Sequence, residues 1–255
     1  MKEYDQLAKY KTFSLGDVTS ITGNESTSTS LITRWLKKKY VVRIRKGLYT
    51  CIDLTTGDVI ANKYQIATAI NDESYVSHHT AFEFHGMANQ VYNTVYVSSR
   101  KRFNTFEFMG ITYKYISSKF TDGVIQVKNV EGIRVTDVER TFVDSVNLVS
   151  KVGGIEELIN ITKTIEALDE NKLLYYMELY NKKVLFQKVG YFLDNYYNGQ
   201  KLNIELFETC QLKSGNSVRY LVQGREGEFQ SKWNLIVPEE FISRLNNVET
   251  PDEYI

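Results

Sequence analysis

Residues 26–39 separate apolar from polar side chains at helical spacing. At about 3.6 residues per turn, the apolar side chains fall on one face of a helix: Leu31, Ile32, Trp35 and Leu36. The opposite face carries hydroxyls near its start and cations toward its end: Ser26, Ser30, Thr33, Arg34 and Lys37, with Thr27 at the edge. The pattern predicts an amphipathic helix that buries one face and exposes a polar, cationic one.

Two shorter helices are predicted upstream of this one. Residues 3–11 have the apolar spacing of a short helix. Ser14 can cap a second helix at residues 15–21, with Asp17 as its capping-box partner. Residues 22–24, Thr-Gly-Asn, have the turn chemistry that ends a helix.

Residues 40–52 predict a β-hairpin with a basic tip. Val42 and Ile44 alternate with Arg43 and Arg45, and a Lys-Gly pair follows as the turn. The order helix, helix, turn, cationic helix, basic hairpin is that of a winged helix-turn-helix. In such a fold the cationic helix enters the major groove of DNA, and the hairpin tip meets phosphate or the minor groove.

The distribution of charge agrees with a DNA-binding N-terminal region. Overall, 31 basic residues balance 31 acidic ones. Residues 1–53 hold ten Lys and Arg against five Asp and Glu, so they carry +5 and the rest of the chain carries −5. The cations at 37–39 would also complement the dipole at the helix end. We predict these DNA-binding residues: Ser26, Thr27, Ser30, Thr33, Arg34, Lys37, Lys38, Arg43, Arg45 and Lys46.

The remaining residues predict a mixed α and β domain, which makes the whole chain α+β. We expect a winged helix-turn-helix domain at 1–54 and a larger α/β domain at 55–255. Helices are predicted at 60–71, 77–86, 155–167 and 184–197, with two more that Thr136 and Asp169 would cap. Strands are predicted at 91–99, 103–109, 111–117, 125–130, 132–135, 220–223 and 233–237.

The residues that could carry catalysis or bind a metal fit structural roles better. His78 and His85 share a helix face with Phe82, but no HExxH motif accompanies them. Acids at 137 and 139 favour a helix dipole, and Arg140 with Asp144 has the spacing of an ion pair. We therefore expect no enzymatic activity, no cofactor and no metal.

Cys51 and Cys210 lie far apart without a CxxC partner, which predicts two buried thiols. The sequence has no apolar stretch long enough to span a membrane, and its start lacks the apolar core of a signal peptide. A cytoplasmic protein without a membrane partner is expected.

Four stretches together resemble the AbiEi family of antitoxins from type IV toxin–antitoxin systems, which act in bacterial abortive infection. They span almost the whole chain in the expected order, and none is a catalytic motif. They read Arg-Ile-Arg-Lys-Gly-Leu-Tyr at 43–49, Tyr-Val-Ser-His at 75–78 with Phe-His-Gly at 84–86, Ile-Arg-Val-Thr-Asp-Val-Glu-Arg-Thr-Phe-Val-Asp at 133–144, and Trp-Asn-Leu-Ile-Val at 233–237. Val138 departs from the family pattern, where many relatives have proline after the aspartate.

The resemblance implies two activities. The winged helix would bind inverted repeats in the promoter of its own operon and repress it. The C-terminal domain would counteract a nucleotidyltransferase-type toxin, without needing a stable complex with it. Two alternatives stay open: a ligand-responsive regulator with the α/β region as its sensor, and a nuclease that a winged helix delivers to DNA.

Overall fold

The computed structural model describes residues 2–128 and 132–246, and its fold is α+β. Contacts divide the chain into two compact units. The first comprises Met1–Ala81 and Val91–Asp137, and the second comprises Phe82–Gln90 and Val138–Ile255. The first 54 residues therefore share a unit with much of the sequence that follows, and the predicted junction after residue 54 does not coincide with this division.

The first unit holds most of the strands. Its elements are α1 (Lys2–Tyr10), β1 (Thr12–Phe13), α2 (Leu15–Thr22), α3 (Glu25–Lys37), β2 (Val41–Arg45), β3 (Leu48–Cys51), α4 (Lys63–Ala69), β4 (Tyr75–Val76), the start of α5 (His78–Phe84), β5 (Thr94–Ser99), β6 (Phe106–Phe108), β7 (Ile111–Ser117), β8 (Val124–Gln126) and β9 (Arg134–Thr136).

The first three helices pack on a three-stranded sheet in the order β1-β3-β2. Ser14 caps α2 through a complete capping box with Asp17, and Gly23 ends the helix with φ of 75°, as predicted. Asn24 caps α3 by accepting a hydrogen bond from the Thr27 amide. The buried residues of this core are Tyr4, Leu7, Phe13, Val18, Ile32, Trp35, Val41, Tyr49 and Cys51.

A six-stranded sheet also belongs to the first unit, in the order β6-β7-β5-β4-β9-β8. Strands β5 and β7 pair in parallel, as do β4 and β9, while the other neighbours are antiparallel. The predicted hairpin turn at Gly110 is present, with φ of 75°. The predicted strand at 125–130 runs partly outside the described residues.

The second unit is mainly helical. Its helices are α6 (Val138–Asn147), α7 (Ile155–Thr164), α8 (Glu170–Tyr180), α9 (Lys183–Tyr196), α10 (Ile204–Ser214) and α11 (Glu239–Asn246). A small sheet in the order β10-β12-β11 joins β10 (Arg219–Tyr220), β11 (Glu228–Gln230) and β12 (Leu235–Val237). Trp233 is buried in the core of this unit, where it packs on Gly190 of α9.

Several local predictions are confirmed and some are wrong. Asp169 caps α8, and both cysteines are buried. Thr136 was predicted to cap a helix, but it is the last residue of β9 and α6 begins at Val138. Strand pairing with Val124 holds Thr136 in the sheet. The sequence patterns did not predict β1, β4, β11, α10 or α11.

Within the described residues, no helix combines the length and the apolar character needed to cross a bilayer.

Candidate nucleic-acid interface

The outward face of α3 is polar and open to solvent. All seven residues predicted on this helix are exposed: Ser26, Thr27, Ser30, Thr33, Arg34, Lys37 and Lys38. Five of the predicted set, without Ser26 and Thr27, line one shallow concavity together with Thr29. The prediction omitted Thr29, although the helical wheel places it one turn before Thr33 on the same face. The structure therefore gathers the α3 residues on a single surface.

The side chains in the first part of this face are short and project little from the helix backbone. Thr29 and Thr33 fold back on the helix, because each hydroxyl donates a hydrogen bond to the carbonyl four residues earlier, at 3.0 and 2.8 Å. Arg34 and Lys37 extend beyond them in the last turn of the helix. Such a surface combines close approach near the helix start with charge and reach near its end.

Ser28 fixes α3 against α2. It lies on the buried side, where its Oγ contacts the hydroxyls of Thr22 and Thr19 at 2.7 and 3.1 Å. It also donates a hydrogen bond to the Asn24 carbonyl at 2.8 Å. Through Thr19 and Thr22, this buried hydroxyl links the two helices by hydrogen bonds inside their interface. The spacing of Ser28 from Ile32 is the sequence signal for its burial.

The β2–β3 hairpin presents two of its three predicted cations to solvent. Arg43 is exposed, with its guanidinium 5.7 Å from the centre of the Tyr49 ring. Lys46 is exposed in the two-residue turn, which Gly47 completes with φ of 82°. Lys38, at the end of α3, has its ammonium 5.9 Å from the Tyr40 ring centre. Exposed cations therefore lie within β2, at the hairpin tip and at the end of α3.

Arg45 is placed differently from the other predicted residues. It is half-buried, and its guanidinium lies 5.1 Å from the ring centre of Phe106 and 5.8 Å from that of Phe103. Its Nη1 atom is buried without a hydrogen-bond partner among the described residues. The side chain therefore packs on aromatic rings of the six-stranded sheet. Sequence spacing gave no signal of this contact, since the two rings come much later in the chain.

The histidines and carboxylates considered for chemistry occupy packed positions. His78 and His79 are buried, and the His78 Nδ1 lies 2.9 Å from the Ser77 hydroxyl. The predicted Arg140–Asp144 ion pair is confirmed at 2.6 Å, with both side chains 2% exposed. Glu139 accepts a hydrogen bond from the Asp169 amide at 2.9 Å. Across residues 2–128 and 132–246, His, Cys, Asp and Glu side chains form no group of three that could hold a metal ion.

The two thiols are poor nucleophiles in this fold. Burial raises the pKa of Cys51 to about 12 and that of Cys210 to about 12. Both therefore remain protonated at neutral pH, and a protonated thiol neither attacks electrophiles nor binds metals well.

The fold is similar to that of a solved structure, the crystal structure of the RV2827C protein from Mycobacterium tuberculosis. The two share 14% sequence identity with a TM-score of 0.65, over 96% of this chain and 92% of that one. At this identity the similarity shows a shared fold alone. No protein-family model matches the chain, and comparison with curated proteins gives no match.

Proposed function

We propose that α1–α3 and the β1–β3 sheet form a winged helix-turn-helix that binds double-stranded DNA. The observation that carries the proposal is the single exposed surface of α3, with hydroxyls along its first turns and Arg34 and Lys37 at its end. A major groove accepts a helix of this kind, because small residues allow close approach and long cations reach base edges and phosphates. Arg43 and Lys46 of the hairpin would contact the DNA backbone.

The binding is expected to depend strongly on salt. Each phosphate that a Lys or Arg neutralises releases condensed counterions, so log K falls with log[salt] by about 0.9 per contact. Arg45 is not counted among these contacts, because its guanidinium packs on Phe106. Burial of its Nη1 atom leaves that side of the guanidinium turned away from solvent.

The test is a binding titration with the DNA directly upstream of the gene for this chain. Arg34→Ala with Lys37→Ala is expected to abolish selective binding while leaving the fold intact, because both side chains are exposed. Lys163→Ala with Lys201→Ala removes the same charge from exposed sites in the second unit, and serves as the matched control. Full affinity in the Arg34 and Lys37 variant would contradict the proposal.

We further propose that the chain is the autorepressor and antitoxin of a type IV toxin–antitoxin operon. The resemblance in sequence to the AbiEi family supports this step. Repression would act through inverted repeats in the promoter, and residues beyond the winged helix would counteract a nucleotidyltransferase-type toxin without a stable complex.

A second candidate, a ligand-responsive regulator, is favoured by a cavity of about 320 Å³ in the first unit. Its lining includes Tyr10 and Thr12 from the N-terminal segment, with Gln65 and Thr68 from α4. This volume lies at the lower end of the range for small-molecule sites. A metabolite that changes promoter affinity in the wild-type chain, but not in a cavity-filling Ala69→Leu variant, would favour this function over the antitoxin.

A further inference from the structure

An aromatic cluster covers one face of the six-stranded sheet near its β6 edge. Phe106 stacks on Tyr113 with ring centres 4.8 Å apart and planes within 7°. Phe103 contacts Tyr115 edge-on at 5.4 Å and Phe106 at 6.5 Å. Tyr113 and Tyr115 are two residues apart on β7, so both point to the same face. We call these four rings the aromatic cluster.

Arg45 joins the tip of the β2–β3 hairpin to the aromatic cluster. Its guanidinium lies over Phe103 and Phe106, and all three residues belong to the first unit. Lys46 follows directly and is exposed. Phe103, which the Arg45 guanidinium contacts, follows a basic segment of the chain.

That segment is the basic run Arg100-Lys101-Arg102, and all three residues are exposed. Arg100 pairs with Glu73 at 3.2 Å, and Lys101 pairs with Asp72 at 2.7 Å. Arg102 has no acidic partner among the described residues, and it directly precedes the buried Phe103. The run thus presents one uncompensated cation directly before the residue whose ring the Arg45 guanidinium contacts.

We propose that the DNA-binding surface continues past the hairpin onto the six-stranded sheet, where Arg102 contacts a backbone phosphate of the duplex. The proposal rests on the proposed DNA-binding function and extends it. Two observations carry it: the Arg45 contact, which holds the hairpin tip against Phe103, and the exposed Arg102, which directly precedes Phe103 in the chain. Asn104 and Thr105 follow Phe103 as exposed polar residues, of the types that also bind phosphate oxygens.

The contact should be independent of DNA sequence, because phosphates carry no base identity. Arg102→Ala is therefore expected to lower affinity by the same factor for the upstream promoter DNA and for a random-sequence duplex. The slope of log K against log[salt] should become shallower by about 0.9, the value for one lost phosphate contact. Titrations of the full chain at several salt concentrations, with both duplexes, measure the two quantities.

Lys114→Ala is the matched control. Lys114 lies on β7 between Tyr113 and Tyr115, so it projects from the opposite face of the same sheet, and it is exposed. The variant loses the same charge and should keep the wild-type slope. Phe106→Ala tests the role of the Arg45 contact, and it should weaken binding, since the hairpin tip loses its support on the sheet.

The possible outcomes separate this inference from the function on which it rests. An unchanged salt slope in Arg102→Ala overturns the Arg102 contact, and so does an equal slope change in Lys114→Ala. If Arg34→Ala with Lys37→Ala loses promoter selectivity in the same experiments, the DNA-binding function stands without the extension. A wild-type chain that binds neither duplex would overturn both.

Discussion

The hydroxyl of Ser28 lies 2.7 Å from the hydroxyl of Thr22, inside the interface between α2 and α3. Ser28 is fully buried, although it belongs to a run of hydroxyl residues whose other members are exposed. One serine of the run therefore orients the helix, and its neighbours are left free to face a partner. The division follows from helical spacing, since Ser28 shares its face with Ile32 and Trp35.

Ser28→Ala should destabilise the packing of α2 on α3 by about 0.5–1.5 kcal/mol, the net value of a typical hydrogen bond, because it removes the hydroxyl that links Thr22 and Thr19 to α3. Hydrogen exchange of the amides in these two helices measures the loss directly. Ser30→Ala changes an exposed serine on the same helix and should stay within about 0.5 kcal/mol of wild type. Equal exchange rates in the two variants would show that the hydroxyl network does not hold the interface.

Local structure around α2 and α3 could be predicted from the sequence because its causes are local. Ser14 and Asp17 form their capping box within four residues, and Gly23 ends the helix with a left-handed backbone. The exposed surface of α3 was predictable for the same reason, since helical periodicity assigns each residue to a face. The two-residue strand β1 carries no periodicity, and it exists only because Thr12 and Phe13 pair with β3.

The placement of Arg45 shows why the rest of the site could not be predicted. Alternation along β2 gives the direction of a side chain but not what the other parts of the fold bring to it. Its partners, Phe103 and Phe106, arrive through the long-range pairing of the six-stranded sheet. The same limit applies to Gly190. The sequence shows a lone glycine in a helical pattern. It does not show that the ring of Trp233, from a later part of the chain, packs there and leaves no room for a side chain.

Gly190→Ala should destabilise the second unit by about 1–3 kcal/mol, because a methyl group there would overlap the six-membered ring of Trp233. Unfolding in urea, followed by circular dichroism, gives the free energy change. Trp233→Phe in the same chain should relieve the overlap, so the double variant should lose less stability than the sum of the two single changes. If the stability losses of the two single variants add up to that of the double variant, the methyl group added at position 190 and the Trp233 ring do not clash.

Breaking the buried Arg140–Asp144 ion pair should lower the free energy of unfolding more than Gly190→Ala does, although Asp144→Asn leaves the side-chain volume unchanged. Asp144 accepts hydrogen bonds at 2.6 Å from Arg140 and at 2.6 Å from the Tyr180 hydroxyl. Asp144→Asn keeps the volume but removes the carboxylate charge that faces the buried Arg140 guanidinium, which should cost about 3–5 kcal/mol in unfolding free energy. Urea unfolding is again the measurement.

Two control variants test whether the loss of stability in Asp144→Asn arises because the ion pair is buried. Glu240→Gln breaks the exposed pair with Arg225 and should cost no more than about 1 kcal/mol. Arg140→Met with Asp144→Leu removes both buried charges together, and it should recover most of the stability that Asp144→Asn loses. A double variant as unstable as the single one would show that packing, and not the lost Asp144 carboxylate charge, is the cause.

The proposed repression and antitoxin activities should separate in the full-length chain. Arg34→Ala with Lys37→Ala changes only exposed side chains of α3, so the rest of both units should fold as in the wild type. Expressed with the toxin encoded by the neighbouring gene, this variant should still restore growth, whereas a reporter under the upstream promoter should lose repression. If growth rescue and repression are lost together although the variant is folded, antitoxicity acts through DNA binding. If the variant and the wild type both fail to restore growth while the wild type still represses, the protein is a transcriptional regulator, and the cavity beside α4 becomes the place to seek its ligand.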